Sequence, residues 1–284
     1  MTLKRAHLLA ATALLAAAFA TNALAQASAA PAKQPPPRTA DGKPDLNGMW
    51  GGRGGDDDDN VEFNRIMDSR RCAPTQFECD ERTNQSIDGE FTARTGMNRP
   101  LYKPEFWDRV QYLDMNTNKE DPIFACQSSG VPRVGAPARI VQNANDIIFF
   151  YRAGNGSPAD YRVIPTDGRP HDPVRSLDVT FYGDSVGKWD GDVLVVDSVG
   201  LNDLTWMDKG GFFTSDQKHT IERLWREGDT LLYQVTVDDP GVLVEPWVMP
   251  ARRVPLNASP KAYLPEGVPC KDYDMANMVS QIRH

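Results

Sequence analysis

KWDGDVLVVDSVG (188–200) and HTIERLWREGDTLLYQVTVD (219–238) decide the fold. Each is rich in β-branched and apolar residues, and the two carry tight turn signals. Trp189-Asp190-Gly191-Asp192 contains a D-G turn, and Arg226-Glu227-Gly228-Asp229 closes a second hairpin. Strands joined this tightly pair antiparallel, because a parallel return needs a long crossover. Outward from these hairpins, further β-rich runs fall at 140–142, 146–152, 161–164 and 177–182, beside 193–199, 219–225 and 231–238. No helical periodicity of useful length intervenes between residues 139 and 250. Seven or more such strands must close or stack to hide their edges. The expectation is an all-β fold, an antiparallel meander closing into a lipocalin-like barrel or sandwich, with an irregular N-terminal third.

The start of the chain addresses compartment. Lys4 and Arg5 form a basic n-region, residues 8–20 an unbroken small-apolar run, and Ala23-Leu24-Ala25 an A-x-A cleavage site. The apolar run is too short to span a bilayer, and no later stretch would stop transfer. A signal peptide over 1–25 predicts a protein released to the periplasm or the medium, with no membrane insertion after cleavage. Residues 26–40 are an Ala/Pro-rich linker. One β-rich domain is expected over 41–284: irregular to 138, strand-rich from 139 to 250, and a tail from 251.

Hydrophobic residues at 40% and charged residues at 25% suit a globular chain with a substantial core. The net charge of -8 becomes -10 once Lys4 and Arg5 leave with the signal peptide. With its basic residues scattered among acids, the chain lacks the cationic footprint that nucleic acid or anionic membrane requires. Cys72, Cys79, Cys126 and Cys270 make an even count for an oxidising compartment, which favours disulfides in one of three connectivities. Cys72–Cys79 as a local staple and Cys126–Cys270 as a long tie is the preferred one.

Several motifs resemble a large family of exported bacterial β-rich proteins. DGRPHDP (167–173), GDSVGKWDGDVLVVDSVGLND (183–203), KHTIERL (218–224) and VTVDDP (235–240), followed by Glu245-Pro246-Trp247, carry the later half. DGKPDLNGMW (41–50) is similar to that family's opening motif, and DPIFACQSSGVPR (121–133) to its middle one. The resemblance implies export and a β-rich fold but no reaction. Thr214 stands where the family usually has a histidine, which weakens any scheme built on that histidine.

Candidate chemistry is sparse. Past residue 25 the histidines are His171, His219 and the terminal His284, without the local ligand pair of a zinc site. No metal or cofactor is expected. DDDDN (56–60) fits the first EF-hand positions, but Val61 replaces the required glycine and Met67 the required glutamate. An exposed acidic loop is the plainer reading of Asp56 to Asp59. Ser185 in G-D-S-V-G has the look of a serine nucleophile without its supporting fold, and a turn over 183–185 is the simpler reading.

What remains is the polar residues that interrupt apolar strands. Period-two alternation groups His219, Ile221, Arg223 and Trp225 on one face, and Thr220, Glu222 and Leu224 on the other. With the Ile221/Trp225 face inward, His219 and Arg223 would enter a cavity near Tyr233 or Gln234. His219, His171 and Asp197 are therefore the candidate catalytic residues, and Trp206, Arg223, Tyr233 and Trp225 the candidate ligand contacts. His171 sits in a Pro-rich loop of the kind that carries sites on rigid scaffolds. Two functions stand out: a cavity that binds a small organic molecule or an oligosaccharide, or a cofactor-independent lyase, isomerase or hydratase working through a His/Asp pair. A structural envelope protein is the third.

Overall fold

The computed structural model describes residues 35–51, 98–152, 160–208, 210–249 and 251–264. Ten strands dominate them. The first sheet has the order β1 (Gly48–Met49), β2 (Arg139–Gln142), β3 (Asp146–Phe150) and β4 (Tyr161–Pro165). The second runs β10 (Arg252–Pro255), β8 (Thr230–Asp238), β7 (His219–Glu227), β6 (Val193–Val199) and β5 (Asp184–Asp190). A two-residue β9 (Trp247–Val248) also pairs with β8. Every pairing within the sheets is antiparallel. The two hairpins read from the sequence both form. Asp190 pairs with Val193 and Glu227 with Thr230, leaving two-residue loops in which Gly191 and Gly228 take φ of +58° and +55°.

Alternation sets which side chains meet between the sheets. In β6, Leu194, Val196 and Ser198 are buried while Val193, Val195, Asp197 and Val199 are half-buried. Ile140, Ile147, Phe149 and Ile164 of the first sheet join Leu194, Val196, Leu224, Tyr233 and Val235 of the second in one apolar core. Each of these aliphatic side chains contributes about 1.5–3 kcal/mol on leaving water.

The sheets approach each other at both margins. At one, Trp50 bridges Leu256, and the Gly51 and Asn257 amides donate to Pro255 and Met49 at 2.8 Å each. At the other, Gly187 of β5 lies so close to β4 that an added Cβ would stand 2.9 Å from Thr166 Cγ2. The segment between β1 and β2 includes α1 (Trp107–Met115), whose Val110 and Leu113 turn one face into the core, and the single-turn α2 (Thr117–Glu120). Arg133 grips Asp121 with two hydrogen bonds of 2.6 and 2.8 Å, closing the 121–133 segment on itself.

Three local expectations change. Residues 177–182 are not a strand: Arg175–Leu177 is a 3-10 turn, and Thr180 makes one parallel bridge to Leu201. Asp172 accepts from the Val174 and Arg175 amides, and that cap outcompetes the β preference of Val174, Leu177 and Val179, all exposed. Asp184 and Ser185 open β5 rather than forming a turn. The inward face of β7 is Thr220, Glu222 and Leu224, so the Ile221 face points outward.

Cys126 is disulfide-bonded. Cys72, Cys79, Cys270, the expected signal peptide over 1–25 and the Asp56–Asp59 run lie outside the described residues. No helix among the described residues is long and apolar enough to cross a membrane.

Candidate functional site

Three neighbouring strands place their polar residues on the outward face of the second sheet. Asp184 of β5 pairs with Val199, and Asp197 of β6 lies opposite Val186 and Ile221. His219 is two residues before Ile221, hence diagonal to Asp197, a spacing that long side chains can bridge. The loop containing His171 lies over the same end of the sheet. It is held there by the Asp172 amide and the Ser176 hydroxyl, which donate to Asp184 Oδ2 at 2.9 and 3.4 Å.

The result is an alternating row, Asp184–His171–Asp197–His219. His171 Nδ1 stands 3.0 Å from Asp184 Oδ2. A carboxylate can only accept, so the proton is on Nδ1. His171 Nε2 is covered from solvent and faces Asp197 Oδ1 at 3.4 Å without hydrogen-bond alignment. The same Asp197 Oδ1 accepts from His219 Nε2 at 2.6 Å. Arg175 Nη2 approaches the far oxygen of Asp184 at 3.5 Å.

Exposure divides the row by role. The Asp184 side chain is 3% exposed, whereas Asp197 and His219 stand 42% and 35% open. Asp184 is the buried support, and the half-buried His171 has its Nε2 covered; Asp197 and His219 are the groups a solute can reach. The hydrogen bond between them raises the His219 pKa above the usual imidazole value, against the opposing effect of partial burial. The same bond, with the charges of His219 and His171, holds Asp197 below the ordinary carboxylate range. An imidazole oriented by a carboxylate through one ring nitrogen can exchange a proton through the other.

His219, His171 and Asp197, chosen as catalytic candidates from sequence, thus converge. The ligand-contact candidates do not gather round them. Tyr233 faces the core and donates to Glu222 Oε1 at 2.9 Å. Trp206 lies in a loop, as expected, but is buried at 4% exposure and cannot serve as an open stacking surface. Trp225 and Arg223 are on the outward face of β7; Trp225 is buried and Arg223 half-buried. Asp184 was missed because β5 was not read as a strand. Counting back from the D-G turn at 190–191 would have set Asp184 beside Val199 and on the face of Asp197.

Two further polar clusters escaped the sequence reading. Between the sheets, Arg162 of β4 reaches Glu222 of β7 at 2.7 Å, Tyr151 at 3.0 Å, Ser185 at 2.8 Å and Ser198 at 2.9 Å. Below the site, the buried Lys218 amine donates to Thr214 Oγ1 at 2.9 Å and the Asn202 carbonyl at 3.3 Å. Burial lowers its pKa to about 7 despite the charges of Asp239 and Asp203. Among the described residues no group of His, Cys, Asp and Glu is arranged to hold a metal ion. No family model, no curated protein and no solved structure matches this chain.

Proposed function

We propose that this protein is a cofactor-independent acid–base enzyme of the lyase, isomerase or hydratase type, with His219 exchanging the proton. The observation that carries this reading is the 2.6 Å hydrogen bond between His219 and Asp197, at a half-open position backed by His171 and the buried Asp184. Asp197 fixes the ring and stabilises the imidazolium. His171 is a positioning residue, because its Nε2 is occluded and meets Asp197 rather than solvent. Its own ring is set by Asp184.

Binding within the space between the sheets has less support. That space holds Phe149, Tyr151, Tyr233 and the Arg162–Glu222 pair, each nearly solvent-free and engaged with one another. The approach of the sheets at both margins favours a flattened barrel filled by side chains, the finer form of the expected fold. The leader-like start and the Cys126 disulfide favour the periplasm or the medium, with Cys270 as the preferred partner of Cys126. The motif resemblance to exported β-rich proteins points the same way.

The test is solvent deuterium uptake into a panel of compounds with an acidic C–H beside a carbonyl or carboxylate, followed by NMR. Exchange by the wild type that drops about 10²–10⁴-fold in His219→Gln is the expected result. Undiminished exchange in that variant would sink the assignment.

A further inference from the structure

The outward face around Asp197 is ordered by strand register into rows. Asp184 and Val199 make the first, with His219 alongside opposite Asp238. Val186, Asp197 and Ile221 make the second, and Lys188, Val195 and Arg223 the third. The His171 loop covers the first row, so Asp184 is buried. The third row is uncovered: Lys188 is exposed, and Val195 and Arg223 are half-buried. The site therefore opens from Asp197 toward Lys188 and Arg223, across the side chains of Val186, Val195 and Ile221.

Charge gives that opening a chemical character. The chain carries a net charge of -8, yet neither Lys188 nor Arg223 meets a carboxylate among the described residues. Two uncommitted cations flanking an apolar strip beside a proton-exchanging histidine suit an amphiphilic anion. An Arg fork matches a carboxylate with two parallel hydrogen bonds, and a neighbouring Lys adds a point charge. We infer that the site takes an organic acid, with its carboxylate at Arg223 and Lys188, its apolar body on Val186, Val195 and Ile221, and its reacting carbon beside His219. Successive rows are about 7 Å apart, because two residues of strand separate them, so the His219 and Arg223 backbones, two rows apart, are separated by about 14 Å. With the two long side chains reaching toward each other across that span, a carboxylate at Arg223 stands roughly a ring plus a short alkyl chain from a carbon beside His219. The inference rests on the acid–base reading for its orientation, but binding and chemistry fail separately.

The experiment compares 3-phenylpropanoate with its neutral amide, 3-phenylpropanamide, on the intact protein by saturation-transfer NMR and by the shift of the His219 ring protons. The acid should bind at least tenfold more tightly than the amide and move the His219 resonance. Arg223→Gln should remove most of that preference, and Lys188→Gln should reduce it. Added salt should weaken the acid and leave the amide unchanged. Equal affinity for acid and amide, a preference that survives Arg223→Gln, or no binding of either probe at millimolar concentration overturns the inference. Preferential acid binding without deuterium exchange in any acid would instead count against the acid–base reading and leave the anion site standing.

Discussion

Lys218 and His219 are adjacent in the chain, yet burial acts on them in opposite ways. The Lys218 amine is taken from water and meets only neutral oxygens, so the folded state resists its charge. Its pKa falls to about 7 in the fold and returns to about 10.4 in the unfolded chain. As pH drops between those values the unfolded state takes up the proton first, so stability declines; below the lower value the loss is constant. Lys218→Met should therefore stabilise the protein at pH 7 by a few kcal/mol, with the gain vanishing near pH 10.5. Urea melts of both proteins at pH 7 and 10 read this directly. His219 titrates with the other sign. Its raised pKa means that the stabilising charged pair is complete below about 6.5 and is lost as pH rises through the folded value. Asp197 contributes above about 3.9 and loses that contribution as pH falls through its depressed folded value. In an NMR titration His219 should therefore lose its proton above about pH 6.5, and Asp197→Asn should bring that midpoint down. An unchanged midpoint would show that the 2.6 Å contact does not govern the ring.

At the scale of the element, β5 matters most, because it positions Asp184. The strand begins just after Gly183, which sits at φ +60° with the Val199 carbonyl where a side chain would go. An added Cβ would stand 2.1 Å from that oxygen, a backbone atom that cannot swing away. Gly183→Ala should cost at least about 2 kcal/mol, the left-handed backbone penalty alone being about 1–2. Thermal melts would read the loss, and the His171 ring protons should shift as Asp184 moves. How much of this was legible varies with the source of the signal. The hairpins 188–200 and 219–238 were readable because a two-residue turn is a local property of the chain. Residues 177–182 misled because β propensity reports fitness for a half-buried pleat, and no neighbouring strand offered one. The same bias hid β5: a Gly-rich start looked like a turn, although its pairing with β6 was implied by the D-G turn already recognised.

The whole molecule is tied by a charge pair between its sheets. Arg162 is 5% exposed and Glu222 is fully buried, and the hydroxyls of Tyr151, Tyr233, Ser185 and Ser198 add hydrogen bonds to them, leaving the buried Arg162 Nε without a partner. A buried pair of this kind need not stabilise the fold relative to apolar residues, but halving it strands a charge. Arg162→Met alone should cost about 3–5 kcal/mol, and Arg162→Met combined with Glu222→Leu should recover much of that. Chemical denaturation of the single and double variants decides it; equal losses would mean that the network acts as a unit rather than a pair. The pair also explains why β7 faces as it does. Thr220, Glu222 and Leu224 turn inward because Arg162, from a distant strand, supplies the charge that lets Glu222 be buried.

Local sequence signals were enough for the β class, both hairpins and their turns, and the identity of His219, His171 and Asp197 as the residues to watch. Each of those follows from short-range facts: alternation, turn chemistry and the scarcity of histidine. Packing between distant segments set which face of β7 is inside, that Asp184 completes the row, and that Lys218 and Arg162 carry charge-bearing groups into the interior. A period-two pattern is symmetric between its faces. The choice between them depends on partners more than fifty residues away, whose contacts no local pattern encodes.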